Sequence, residues 1–393
     1  MRKILTMCLI SISLMGIITS TSCKKKTNEE VQPSKVEVIF NNIPYPTEKF
    51  MRIGYTLKMW EYEKEGLVLD KIVVLDANSN TDLMTIGKDE LPLIYKDPLP
   101  PDAFFTVNKI THYYTSIQLP IPLGMDVPVT ISHQFVFRDT VANQELTIEG
   151  AIFSPRKNEA PVVISSPMKG SGWVNINQST SDYHFYKMLF FEGQIYRSEI
   201  YAFDNLQFND DLSEIYEGDP RVNDSYFNYK DTLYAVEDGT IIALVDGLPE
   251  NDGDSVTVVF NTFLEQAGNY LSLDIGGGFV ASYMHIVPNS FFVSLGDVVK
   301  DGDPLALLGN SGHSTMPHLH FQVCDGPDII RSEGVPFVLK KYTKIGDVFS
   351  GPSPDSTVYN AMLECSALSG GTYGLGIAKN NQQLGYGHTG ETL

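Results

Sequence analysis

Two histidines separated by one residue, in Met316-Pro317-His318-Leu319-His320-Phe321, stand where the sequence predicts the opening of a β-strand over Leu319 to Val323. Successive side chains of a strand point to opposite faces, so His318 and His320 share one face, roughly 7 Å apart at ~3.3 Å per residue. At that spacing one imidazole can hold a metal ion through a nitrogen lone pair. Its neighbour is then left to move a proton or to polarise a carbonyl. Paired histidines on a strand are also common as plain surface residues, so the surrounding sequence has to decide.

Three other residues, His285, His184 and Asp204, lie in or beside predicted hairpins. His285 ends the second strand of a hairpin whose turn is Gly276 to Gly278, where positive φ is needed. Tyr183 to Phe191 and Gln194 to Phe203 are β-rich runs flanking Glu192-Gly193, a second hairpin signature. Folding about 192 and 193 sets His184 opposite roughly 201 to 202, a near or diagonal cross-strand neighbour of Asp204. Asp238 and Asp246, each followed by glycine, are turn residues by chemistry. The acidic run Glu250 to Asp254 lacks the spacing and terminal Glu of an EF-hand and is expected to be a solvated loop.

The run G-D-V-V-K-D-G-D-P-L-A-L-L-G-N-S-G-H-S-T-M-P-H-L-H-F, with Tyr283-Met284-His285-Ile286 upstream, resembles the C-terminal half of the lysostaphin-like zinc metallopeptidases that cut peptidoglycan cross-bridges. The resemblance covers about residues 160 to 338. It implies a zinc site of His184, Asp204 and His320, with His318 as general base on water and His285 helping to hold or polarise the oxyanion. The family's first metal motif is H-x-x-x-D, and here Ile200 stands at its histidine position, with His184 as the replacement. Three such ligands leave a coordination position for water, which suits a catalytic ion. Two functions stay open on this pattern. One is a zinc metalloendopeptidase acting on peptidoglycan cross-links or stem peptides. The other is a non-catalytic protein of the same fold that binds cell wall or activates a partner hydrolase. The G-D-x-V-x-x-G-x-x-L pattern also recurs in biotinyl and lipoyl carriers, but no lysine lies at an exposed hairpin tip here.

Composition bounds the partners and the compartment. A formal charge of −20 over 393 residues, with a pI near 4.7, repels phosphate backbones, so nucleic acid is not an expected partner. Arg2 and Lys3, the apolar run Ile4 to Ile18 and the small residues before Cys23 look like a bacterial lipoprotein signal over residues 1–23. Acyl chains on Cys23 would anchor the protein to a lipid bilayer of the cell envelope, facing the periplasm or the cell surface. Residues 24–35 form a polar tether. Residues 36–157 alternate with period two and are broken by turn signals, which predicts an antiparallel β-sandwich in which Ile53, Tyr55, Leu57 and Met59 face inward against Arg52, Thr56 and Lys58. His112 and His133 are structural or surface residues there. The peptidase-like unit follows over 158–338, giving an all-β chain. Residues 339–393, which include His388, are expected to be partly disordered. Cys324 and Cys365 could form a disulfide or remain two thiols.

Overall fold

The computed structural model describes residues 35–91, 112–176, 182–191, 194–210 and 213–344, with the short strands Ser356–Val358, Ala378–Lys379 and Gln382–Gln383. The signal with Cys23, the tether up to residue 34, Cys365, His388 and most of the 339–393 extension lie outside them. Among the described residues strands dominate, and no helix is long and apolar enough to cross a membrane.

Alternating apolar residues build the front domain as two antiparallel four-stranded sheets. One joins Val36–Asn41, Phe50–Met59, Tyr45–Pro46 and Tyr113–Pro122, and the other orders Thr81–Gly87, Leu67–Asp76, Ile131–Asp139 and Gln144–Phe153. Ile53, Tyr55, Leu57 and Met59 from the first sheet share one core with Ile72, Val74, Phe135 and Phe137 from the second, which makes this a sandwich. His133 lies inside that core. Its Nδ1 donates to the Ala151 carbonyl at 2.9 Å, and the Tyr55 hydroxyl, 2.8 Å away, donates to its Nε2.

The outer face of the first sheet departs from the expected pattern. Thr56 alternates out of the sandwich core, yet it is buried, as is Ser116 beside it. The covering group is Arg197 of the second half of the chain, a fully buried side chain. It donates to Thr56, to Asn42 Oδ1 at 3.1 Å and to Glu333, and its guanidinium stacks 4.2 Å from the Phe40 ring. Alternation reports which residues share a face, not what later covers that face.

Residues after 158 form a seven-stranded antiparallel sheet. Its order is Trp173–Ile176, Phe203–Gln207, Leu319–Cys324, Val280–Ile286, Asn269–Asp274, Gly239–Val245 and Val298–Val299. Phe203, Phe321, Tyr283, Leu271, Leu273 and Ile241 give it one continuous apolar face. The turn between Asn269–Asp274 and Val280–Ile286 has positive φ at Gly276, Gly277 and Gly278, as the hairpin requires. Asp238 acts as a turn residue, accepting from the Asp301 amide and pairing with Lys300. Two expectations are corrected. Glu250 to Asp254 is not simply solvated. Glu250 accepts from Tyr229 and from the Asn310 amide, and buried Asn251 donates to the Asn310 and Gly312 carbonyls, so the run braces the 308–312 loop. The hairpin about 192 and 193 pairs only Leu189–Phe191 with Gln194–Tyr196. At Arg197 the backbone leaves it to bridge Glu333 and to accept from the Gly334 amide, and His184 lies instead on the short helix Asp182–Tyr186. Cys324 is a buried thiol that donates to the Ser198 carbonyl.

Two stability measurements test this packing. Burial lowers the His133 pKa from 6.5 to about 4, so as pH falls the unfolded chain takes up its proton first. The contribution is complete above pH 6.5 and is lost as pH drops toward 4, a change of about 3 kcal/mol. Urea unfolding at pH 7 and pH 4 should show it, with a smaller pH dependence in His133→Gln. Arg197→Met should cost about 3 kcal/mol in the same assay, because Glu333 then loses its buried cation. A loss below the scatter of surface substitutions would contradict the role given to Arg197.

Candidate metal centre

The register of three neighbouring strands sets the frame. Asp204 pairs directly with His320, and His320 with Met284, while Phe203, Phe321 and Tyr283 pair on the core face. Asp204 and His320 therefore project from the opposite face, where Asp204 Oδ1 lies 3.0 Å from His320 Nδ1. His318, just before the strand, reaches the same oxygen with Nε2 at 3.6 Å.

His285 reaches this face only through an irregularity. By strict alternation it would follow Tyr283 into the core. The pairing register instead shifts between Asn269 and Leu271, and His285 has φ of +64°. That left-handed backbone costs a non-glycine residue roughly 1 kcal/mol or more, and it works as a bulge that re-aims the side chain. The ring comes to 4.7 Å from the His318 ring and 6.0 Å from the His320 ring. Its Nδ1 donates to the Ser311 carbonyl at 2.7 Å. The loop supplying that carbonyl lies tight against the strand: a Cβ on Gly309 would sit 2.9 Å from the His285 oxygen and 2.5 Å from the Val287 nitrogen.

His184 arrives from its helix. Nδ1 donates to the Ala202 carbonyl at 3.2 Å, and Nε2 lies 3.7 Å from Asp204 Oδ2. His184 is thus brought to Asp204, though by a helix and not by a cross-strand neighbour. Ile200, four residues before Asp204, is fully buried in the apolar core. The turn Arg197 to Ala202 directs that position away from the site.

The anchoring bonds fix which ring nitrogens face inward. A carbonyl only accepts, so His184, His285 and His318, held through Nδ1 by Ala202, Ser311 and Met316, carry hydrogen there and present Nε2 lone pairs when neutral. The Gln322 amide nitrogen donates to Ile329 O, so its Oε1, 3.1 Å from His320 Nε2, accepts a hydrogen from that ring. His320 Nδ1 is then aimed at Asp204. A lone pair facing a carboxylate is repulsive unless a proton or metal cation lies between them. Burial disfavours charge on His320, but Asp204 outweighs it and raises the pKa. Burial would raise the Asp204 carboxyl, yet His184, His318 and His320 hold it well below the usual range. Burial lowers His184 to about 4, and burial reinforced by His318 and His320 pushes His285 well down.

His184, Asp204 and His320 each offer one donor atom within 4.8 Å of the others, and all three are buried. Two imidazoles and a carboxylate form a zinc-type donor set, and the inward lone pairs are what a cation requires. Sequence reasoning missed Gln322, although H-x-H-x-Q over 318–322 places it on the histidine face by the same period of two. It also missed Glu199, whose Oε2 lies 3.9 Å from His184 Nε2 and 2.8 Å from Lys187 Nζ. No spacing rule marks that residue, because it sits in an irregular turn.

Comparison with known proteins bears on this half of the chain. Residues 227–330 match the model of peptidase family M23; they contain His285, His318 and His320, and His184 and Asp204 precede them. An uncharacterized metalloprotease of Buchnera aphidicola is 41% identical over 71 residues, 18% of this chain and 18% of that protein. The peptidoglycan DD-endopeptidase ShyA of Vibrio cholerae is 33% identical over 90 residues, 23% of this chain and 20% of its own. The chain thus spans about a fifth of the length of the curated relatives it matches. The catalytic domain of lysostaphin from Staphylococcus simulans aligns at 24% identity over 30% of this chain and 85% of that domain, with a TM-score of 0.20. Residues 227–330 are accordingly the part of this chain that is similar to peptidase family M23.

Proposed function

We propose that this protein is a zinc metalloendopeptidase that hydrolyses peptide bonds in peptidoglycan cross-links or stem peptides. The observation that carries the proposal is the convergence of His184, Asp204 and His320 donors beside the anchored His285 and His318 rings. The M23 match supports the reaction class, and the name of the Vibrio relative supports the substrate. The lipid anchor on Cys23, and with it a place in the bacterial envelope, rests on the signal-like pattern of residues 1–23.

His184, Asp204 and His320 would hold the zinc, which when bound would supply Lewis acidity toward a peptide carbonyl and a water made nucleophilic near neutral pH. His318 is the general base, because the Met316 carbonyl and Ser314 hydroxyl orient its ring and leave Nε2 to accept a proton. The resulting imidazolium can return that proton to the leaving amine. A neutral His285, hydrogen-bonded through Nδ1 to Ser311, has no hydrogen on Nε2. It can therefore donate to an oxyanion only after taking up a proton, and in the resting state it is a second acceptor. Gln322 and Ala202 hold the two imidazole ligands in the tautomers that face Asp204.

Metal analysis of purified protein should find about one tightly held zinc per chain, as a catalytic site with three protein ligands requires. His320→Ala and Asp204→Asn should each reduce that content, whereas His318→Ala should retain it. Absence of bound zinc after incubation with the metal would turn the reading toward the non-catalytic binder. Purified cell-wall peptides digested with protein lacking residues 1–23 should yield new amine termini by mass spectrometry. The rate should fall roughly 10²- to 10⁴-fold in His318→Ala, the usual span for losing a general base. Equal cleavage by wild type and His320→Ala would remove the zinc mechanism.

A further inference from the structure

The outer face of the first sandwich sheet carries a glycine where it meets the second half of the chain. Gly54 alternates with the core residues Ile53 and Tyr55, so it lies on the face that Arg197 covers at Thr56. A Cβ there would sit 2.6 Å from the Tyr201 hydroxyl and 3.2 Å from Phe185 Cε2. Its φ is not positive, so the requirement for glycine is one of space. Those two neighbours flank the metal-site histidine and its anchor. Phe185 follows His184 on the helix Asp182–Tyr186, and Tyr201 precedes Ala202, whose carbonyl accepts from His184 Nδ1 at 3.2 Å. One point of the sandwich thus touches the residue beside the hydrogen-bond donor and the residue beside its acceptor. Other sandwich residues close on the same segments. Tyr45 stands edge-on to the Tyr201 ring at 5.2 Å, and Gln118, paired with Gly54 across the sheet, donates to the Tyr45 hydroxyl at 2.6 Å. Beyond the helix, Tyr114 packs on the buried Met188 and Phe190. A helix of five residues has little stability of its own, so its packing fixes where it lies.

We propose that Gly54 is a positioning residue for the metal site: through the space left at this glycine, the sandwich seats Phe185 and Tyr201 and so sets the His184 imidazole. The inference rests on the metal-site reading above. Ile200 stands where the H-x-x-x-D pattern has its histidine, and the imidazole that replaces it comes from a segment that the sandwich helps to hold. Coupling of this kind is reciprocal. A sandwich that holds a metal ligand in place is itself stabilised when metal binds.

The test is zinc affinity of the full chain, measured by competition with a chelating indicator, for wild type, Gly54→Ala, Tyr201→Phe and the double variant. In a strand with open space beside it, Gly54→Ala would be neutral or stabilising, since alanine loses less conformational freedom on folding. Here it should weaken zinc binding roughly ten- to a hundredfold, the range over which groups outside the ligand set tune metal sites. Tyr201→Phe removes only the hydroxyl that the new methyl would strike, and that buried hydroxyl has no hydrogen-bond partner among the described residues. Alone it should bind zinc as wild type does, and combined with Gly54→Ala it should recover most of the lost affinity. A second measurement needs no variant. Zinc added to the unaltered protein should slow hydrogen exchange at backbone amides of the sandwich strands Phe50–Met59 and Tyr113–Pro122, and it decides the matter should Gly54→Ala fail to fold. Zinc affinity unchanged by Gly54→Ala, a loss that Tyr201→Phe does not restore, or sandwich amides whose exchange zinc leaves alone would each overturn the inference while the metal site stands. Wild type that binds no zinc would overturn the metal-site reading and this inference with it.

Discussion

Asp204 and His320 stand directly opposite each other on adjacent strands, and the rest of the site is arranged around that pairing. A slip of either strand by one residue would turn its own member of the pair into the apolar core, bring Phe203 or Phe321 out in its place, and break the pair. The core therefore protects the chemistry: Phe203, Phe321, Tyr283 and Leu319 are satisfied only in the register that sets carboxylate against imidazole. His184 from a helix, His285 from a bulge and His318 from the strand's approach are then fitted around a pair whose position is already decided.

Each imidazole is fixed by an oxygen acceptor on the ring nitrogen away from the centre, and these four acceptors come from three different segments. Ala202 belongs to the turn before Asp204, Ser311 and Met316 to the loop before the H-x-H strand, and Gln322 to that strand itself. The 308–312 loop is held in turn by Glu250 and Asn251. Residues with no chemistry of their own thus set which nitrogen of each ring carries hydrogen.

What could be read from the sequence follows from which forces act locally. Period-two alternation identifies the sandwich core and the shared face of His318 and His320, and glycine's tolerance of positive φ identifies the turn at 276–278. Alternation could also have identified Gln322. It could not foresee that His285 breaks alternation, because a left-handed residue is imposed by the loop packed against it and leaves no mark on residue type. His184 was linked to Asp204 through an extended hairpin, whereas the backbone at Arg197 pairs with Glu333 and a helix delivers the histidine. The inward face of the strand containing Thr56 was legible. Its outer face was not, since the group that buries it lies 141 residues further along the chain.

Arg197 gives the molecule a property that its division into a sandwich and a second, seven-stranded half would conceal. A guanidinium sealed from water must keep its acceptors, and these are shared between Asn42 and Thr56 on one side and Glu333 on the other. The turn that contains Glu199 and leads to Asp204 begins at this arginine. The second half is therefore no transplantable cassette: grafted onto another protein without its sandwich, it would carry a hydrated arginine at the root of the turn that leads to Asp204.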